Sequence, residues 1–169
     1  FKQSKIYLNK IIRYQLENKK PDNIVLDQAL NMLNFNDIFY YFDNVKVILV
    51  TRDPRGIYNS MKTRQSLAYP NYNLKIWSEW YDQIMQQFNN YKRKIPKKYK
   101  KHILEIRFED FVRNYEREQK RILNFLNISK INNNFDIKKT EFNVFKARKE
   151  LSNFEKNYIK KKLSKYLQW

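Results

Sequence analysis

The chain has 169 residues, of which 35 are Lys or Arg and 17 are Asp or Glu, so its formal net charge is +18. It has no cysteine, which excludes a disulfide framework, a zinc ribbon and a thiol nucleophile. No stretch approaches the roughly 18 apolar residues of a membrane span, so we expect no span in this segment and a cytoplasmic location. The length of the chain fits a single domain over residues 1–169.

The positive charge indicates polyanionic partners such as nucleic acid, acidic polysaccharide, anionic lipid or a nucleotide cofactor. The chain is also rich in Asn, Lys, Ile and Tyr throughout, a bias that an AT-rich genome produces without any selected partner. Charge alone therefore leaves the partner open.

Helix and strand signals alternate in the first part of the chain. Apolar residues at helical spacing predict a helix over 4–18, and Pro21 predicts a break after it. The sequence NIVLD at 23–27 predicts a short strand, which is followed by a helix around 36–43 and a strand over 45–51. Two strands joined by a crossover predict a parallel sheet.

The alternation continues in the second part of the chain. The pattern predicts helices over 54–65 and 73–92, a strand over 102–107 and a helical region over 108–128. One side of the helix over 73–92 is apolar and largely aromatic, which is typical of a core face. This face contains Leu74, Trp77, Trp80, Tyr81, Ile84 and Phe88.

The last part of the chain combines an irregular segment with a well-marked helix. Residues 127–144 are rich in Asn, Lys and Asp and lack a clean period, so we expect a loop, which is often functional at this length. Ser152 and Glu155 have the spacing of a capping box and predict the start of the closing helix.

The sequence TRDPRG at 51–56 marks the end of a strand and the start of a helix. Asp53 is a good N-cap and Pro54 suits the first helical turn, so Arg52 is expected at the carboxyl end of the strand, where open α/β sheets bind ligands. Ser60 lies two turns along the same helix, roughly 12 Å from Arg52 along the axis, and can share its face. Arg52 and Ser60 could then hold one phosphate, although a salt bridge from Arg52 to Asp53 or Asp43 is the alternative.

The segment 51–60 resembles a block of the sulfotransferase family that uses 3′-phosphoadenosine 5′-phosphosulfate (PAPS). In that block a strand ends in arginine, Asn/Asp-Pro follows, and a serine stands eight residues after the arginine. The resemblance implies that Arg52 and Ser60 bind the donor's 3′-phosphate. It also implies an α/β fold in which a three-layer parallel sheet is flanked by helices, as in P-loop NTPases.

Two further segments are similar to the same family. Arg107-Phe108-Glu109-Asp110-Phe111 resembles the family's Tyr-Glu-Asp-Leu block, with Phe108 in place of the tyrosine near the adenine. In the closing segment Phe145 stands where a tryptophan is usual. Lys138 and Lys139 then fall near the basic loop that closes over the 3′-phosphate, with Thr140 in place of its glycine.

One element of the family pattern is absent from the sequence. The Lys/Arg-Ser/Thr-Gly/Thr loop that grips the 5′-phosphosulfate does not occur, and the chain's single glycine, Gly56, rules out a Gly-rich loop elsewhere. That loop normally precedes the region where this chain begins. We therefore expect an N-terminally incomplete fold, the C-terminal portion of a longer sulfotransferase, and no transfer by this portion alone.

The implied reaction moves a sulfuryl group from PAPS to a hydroxyl or amine and leaves 3′,5′-diphosphoadenosine (PAP). It needs a base near the acceptor and no metal. Asp27, at the end of NIVLD, is our candidate base, with Gln28 as a neighbouring polar contact; a cap or turn role for Asp27 is the alternative. His102, the only histidine, begins a different strand and is not expected to act. The basic surface favours a saccharide or other anionic acceptor.

Three other functions fit parts of the sequence. A basic domain that binds nucleic acid or another polyanion without catalysis fits the charge, although the aromatic residues have core spacing and no nucleic-acid motif occurs. A fragment of a P-loop nucleotide kinase would have a similar order of elements, but does not explain the Arg52 and Ser60 pair. An inactive interaction domain that keeps the fold is the third.

Overall fold

The structure is a computed structural model that describes residues 2–16, 21, 23–27, 33–64, 70, 73–130 and 135–167. The chain divides into two compact units. The first comprises Phe1–Lys46 and Gln86–His102, and the second comprises Val47–Met85 and Ile103–Trp169.

The described residues form two strands and a series of helices. In chain order these are α1 (Lys2–Gln15), α2 (Ile38–Tyr41), β1 (Val47–Thr51), α3 (Pro54–Arg64), α4 (Leu74–Arg93), α5 (Lys97–Lys100), β2 (Ile103–Arg107), α6 (Phe108–Arg113), α7 (Tyr115–Leu126), α8 (Ile137–Glu150) and α9 (Asn153–Lys162). Short 3₁₀ turns at Phe35–Asp37 and Ser164–Tyr166 precede α2 and follow α9. The protein is thus a mixed α/β structure with a small parallel sheet flanked by helices.

Most of the predicted elements are confirmed. The helix expected over 4–18 is α1, the helices over 54–65 and 73–92 are α3 and α4, and the strands over 45–51 and 102–107 are β1 and β2. The helical region over 108–128 is two helices, α6 and α7, separated at Asn114. The capping box is present as well, because Ser152 and Glu155 exchange side-chain and backbone hydrogen bonds at the start of α9.

The strand predicted over 23–27 is wrong. Residues 23–26 have no regular secondary structure, and their apolar side chains are exposed, Val25 to 90%. An apolar run favours burial of its side chains, but a strand also needs a neighbouring strand to pair with its backbone N–H and C=O groups. In the described sheet, β1 pairs with β2 and not with residues 23–27. The predicted parallel sheet therefore exists, but one of its two strands is different.

The loop predicted over 127–144 is wrong from Ile137 onward, where α8 begins, whereas the described residues 127–130 and 135–136 belong to no helix or strand. Asp136 caps the helix by accepting a hydrogen bond from the backbone N–H of Lys139 at 3.0 Å. Val144, Ala147 and Leu151 lie on one buried face at helical spacing. The abundance of polar residues before them concealed this period in the sequence.

The core of the second unit is built around Trp77, which is 0% exposed. Its ring stacks on Tyr81 at 5.2 Å between centroids and is tilted against Tyr58 at 4.9 Å. The remaining buried members come from α8, α9 and the residue that follows each of them: Ala147, Leu151, Ile159 and Leu163. The core role predicted for the aromatic face of α4 is therefore confirmed in this unit.

The first unit has a smaller apolar contact set. Phe35 and Phe88 are buried, with ring centroids 6.0 Å apart. Phe39 stacks on Tyr99 at 4.4 Å, and His102 meets the edge of the same Phe39 ring at 6.4 Å. None of the helices in the described residues is both long enough and apolar enough to cross a bilayer.

Candidate anion-binding site

The register of the two strands creates the site. β1 and β2 are parallel, with Val47 opposite Ile103 and Thr51 opposite Arg107. The next residues, Arg52 and Phe108, therefore leave the same edge of the sheet side by side. The Arg52 Cζ atom lies 5.2 Å from the centroid of the Phe108 ring, which is a cation–π distance.

Arg52 also reaches the helix that follows its own strand. Its Nη1 atom donates a hydrogen bond to Ser60 Oγ at 3.4 Å, across two turns of α3. Both side chains are half-buried. The structure thus brings together Arg52, Ser60 and Phe108, three of the residues that the sequence singled out, while their roles in binding stay predictions.

Asp53 fixes the start of α3. Its carboxylate is fully buried and accepts a hydrogen bond from the backbone N–H of Arg55 at 2.9 Å, as the N-cap prediction requires. The same carboxylate forms a two-pronged ion pair with the Arg55 guanidinium, at 2.9 and 2.8 Å. Asp43, the other carboxylate considered as a partner for Arg52, has Lys5 Nζ at 2.7 Å.

Glu109 is a buried member of the site that sequence reasoning did not single out. Its Oε1 atom accepts a hydrogen bond from the backbone N–H of Asp53 at 3.1 Å, which ties the start of α6 to the start of α3. Burial raises the pKa of Glu109, an effect that the Asp53 N–H and the Arg52 charge oppose in part. Within the described residues its Oε2 atom has no hydrogen-bond partner. The available signal was the position of Glu109, two residues after the end of β2.

A model of the sulfotransferase family matches residues 4–132. The chain belongs to the sulfotransferase family. No curated protein matches the chain. The matched range contains both the 51–60 and the 107–126 segments, whereas the closing segment with Lys138, Lys139 and Phe145 lies beyond it. Membership indicates a transferase that moves a sulfuryl group.

The basic loop expected of this sulfotransferase is replaced by a helix. Lys138 and Lys139 are exposed in the first turn of α8, and Thr140 Oγ1 donates to the Asp136 carbonyl at 2.7 Å. The helix as a whole is anchored on α3, since Asn59 Nδ2 donates to Glu150 Oε2 at 2.8 Å. The loop prediction for these lysines is wrong, and their role in binding stays a prediction.

The candidate base is not at the end of a strand. Asp27 is exposed and follows a segment without regular secondary structure, so the argument that put it at the ligand edge of the sheet is wrong. Asp27 and His102 both belong to the first unit. Gln28 lies outside the described residues. The proposed role of Asp27 as a base stays a prediction.

α3 contains three further cations, Arg55, Lys62 and Arg64. Arg55 forms an ion pair with Asp53, and Lys62 Nζ lies 2.6 Å from Glu155 Oε1 in the capping box of α9. Burial disfavours the charged Glu155, but hydrogen bonds from Lys62 and the Ser152 backbone outweigh it, so the pKa of Glu155 lies below its usual value. The side chain of Arg64 lies outside the described set.

A second basic feature lies between α6 and α8. The Cζ atoms of Arg113 and Arg148 lie 5.2 and 4.6 Å from the centroid of the Phe145 ring. Both arginines are exposed. In the part of the chain that the structure describes, no group of three or more His, Cys, Asp or Glu side chains could hold a metal ion.

Proposed function

We propose that this sulfotransferase takes its sulfuryl group from PAPS and that Arg52 and Ser60 hold the 3′-phosphate of the donor. The observation that carries the proposal is the pairing of a guanidinium with a hydroxyl at the carboxyl edge of a parallel sheet. Guanidinium groups bind phosphate through two parallel charge-assisted hydrogen bonds, and a hydroxyl can donate a third.

The surroundings of Arg52 suit a phosphate on a nucleotide. The site lies beside the first turn of α3, an eleven-residue helix whose dipole favours an anion at its N-terminus. Phe108 presents an aromatic ring within 5.2 Å of the guanidinium, and we propose that its ring also lies against the adenine. Lys138 and Lys139 would add positive charge to the same phosphate.

The fold assignment extends the described sheet. In β1–α3 and β2–α6 a parallel strand runs directly into a helix, which is the repeating unit of three-layer α/β folds. We propose that β1 and β2 belong to a larger parallel sheet with helices on both faces, the three-layer arrangement of P-loop-like folds, in a single sulfotransferase domain.

In the proposed reaction PAPS supplies the sulfuryl group, which passes in line to an acceptor hydroxyl or amine and leaves PAP. Arg52 and Ser60 orient the nucleotide, and a base beside the acceptor takes its proton. We propose a saccharide or another anionic acceptor, because the net charge is +18 and exposed arginines flank the Phe145 ring.

Binding of PAP tests the donor assignment. Wild-type protein should be stabilised in a thermal unfolding assay and should bind PAP in calorimetry. Arg52→Ala should weaken binding about 150-fold or more, because it removes two charge-assisted hydrogen bonds at about 1.5–3 kcal/mol each, and Ser60→Ala about 2- to 10-fold. Arg117→Ala, which removes an arginine with a 68% exposed side chain, is the matched control and should bind as the wild type does.

The second candidate is a basic domain that binds polyanions without catalysis. The observation that favours it is the pair of exposed arginines about Phe145. If that function is correct, Arg113→Ala should weaken binding of a sulfated polysaccharide while Arg52→Ala leaves it unchanged. Wild-type protein that ignores PAP, or Arg52→Ala protein that binds PAP normally, would count against the sulfotransferase site described above.

A further inference from the structure

The chain's single glycine lies inside a helix. Gly56 is the third residue of α3, it is buried, and its backbone is not in the left-handed region. Glycine is among the poorest helix formers, and alanine is the best. The backbone conformation therefore gives no reason for a glycine at this position.

The reason lies in the side chain of Arg52. A Cβ atom placed on Gly56 would lie 2.9 Å from Arg52 Nε, 3.3 Å from Nη2 and 3.4 Å from Cζ. The shortest of these distances is below any normal carbon–nitrogen contact. The guanidinium group therefore occupies the space that the side chain of any other residue at position 56 would fill.

That location is the one from which the guanidinium reaches its neighbours. Nη1 donates to Ser60 Oγ at 3.4 Å, and Cζ lies 5.2 Å from the Phe108 ring. A Cβ at position 56 would displace the group from both. Because the clash involves the end of a long, flexible side chain, Arg52 can swing away and leave the helix intact.

We propose that Gly56 is a positioning residue for a phosphate monoester, since its missing side chain keeps the Arg52 guanidinium in register with Ser60. The inference rests on the proposed function and adds to it a residue that does not touch the nucleotide. A fork that binds phosphate through two parallel hydrogen bonds depends on its orientation, so a small displacement removes one of them.

The inference predicts that affinity and stability change independently. Gly56→Ala should fold with an unchanged or higher Tm, because alanine favours the helix. Its affinity for PAP should nevertheless fall about 10-fold, the loss of one charge-assisted hydrogen bond. If Gly56 served only the fold, Gly56→Ala would lower the affinity for PAP and the Tm together.

The experiment is a double-mutant cycle read by calorimetry with PAP. Gly56→Ala is measured in the wild-type background and again in Arg52→Ala protein, where it should change the residual affinity less than about twofold, because its effect requires the guanidinium. In the free protein, the NMR signal of Arg52 Nε–Hε should shift in Gly56→Ala, while the signals of residues in the Trp77 core stay in place.

The outcomes separate this inference from the proposed function. If the wild type and Gly56→Ala bind PAP equally while Arg52→Ala binds it far more weakly, the inference is overturned and the proposed function stands. An unchanged Arg52 signal, or a Gly56→Ala protein that fails to fold, also overturns it. If the wild type does not bind PAP, the proposed function fails and the inference fails with it.

Discussion

The ion pair between Asp53 and Arg55 should be the most sensitive point in the site for folding. The Asp53 carboxylate is fully buried, and the Arg55 side chain is 11% exposed. Arg55→Ala would leave Asp53 with the backbone N–H of residue 55 but without its guanidinium. Removing one partner of a buried pair costs about 3–5 kcal/mol. We expect a value near the lower end, about 3 kcal/mol, because the N-cap bond remains.

Urea unfolding followed by circular dichroism measures this loss. With a slope of about 2 kcal/mol per molar urea, the midpoint should fall by about 1.5 M at unchanged slope. Lys146→Ala is the control, because it removes the i,i+4 ion pair with Glu150, whose two side chains are both more than one-third exposed. Its loss should cost about 0.5 kcal/mol at most. If the two variants lose the same small amount, Asp53 does not depend on Arg55 and the reasoning is wrong.

Three other changes give measurable results. Ser152→Ala removes the side-chain cap of α9 and should lower the free energy of unfolding by about 1 kcal/mol, whereas Ser152→Asn should not. Because burial raises the pKa of Glu109, the folded state binds its proton more tightly than the unfolded state, and its contribution to stability falls as the pH rises from the usual value to the raised one. Glu109→Gln should therefore gain stability relative to the wild type across that window in urea titrations, and a pH-independent difference would contradict the assignment. Phe108→Leu should weaken PAP binding about 2- to 5-fold, because it removes the ring beside Arg52, whereas Phe108→Tyr keeps the ring and should bind as the wild type does. Equal affinities of Phe108→Leu and the wild type in calorimetry would exclude a cation–π contribution.

Local signals predicted most of the fold because they depend on neighbours in sequence. The N-cap at Asp53 and the capping box at Ser152 mark two helix starts that the structure contains. The run at 23–27 failed because an apolar segment does not specify the strand that must pair with it. The segment before Val144 failed for the opposite reason, since residues 137–142 are exposed or half-buried and have no apolar period, although they belong to the helix whose buried face begins at Val144.

The same distinction applies to the site. Arg52 and Ser60 could be paired from sequence because one helix fixes the distance between them. Glu109 could not be connected with Asp53, 56 positions earlier, without the register that sets Thr51 opposite Arg107. The importance of Gly56 is not conformational, so it becomes visible only when the path of the Arg52 side chain is known.

The charges at the site favour a binding mode in which the proposed phosphate is recognised by geometry rather than by excess positive potential. The net charge of the chain is +18, yet Arg52 and Arg55 lie beside the buried side chains of Asp53 and Glu109. Polyanions held by many exposed cations lose roughly 10³-fold or more in affinity between 50 and 200 mM salt as counterions are released. PAP held by one guanidinium and one hydroxyl in a half-buried site should lose about 10-fold at most, because such contacts are screened less. Parallel titrations with PAP and a sulfated polysaccharide therefore distinguish a built phosphate site from the general charge of the surface, and equal salt slopes for the two ligands would favour the surface.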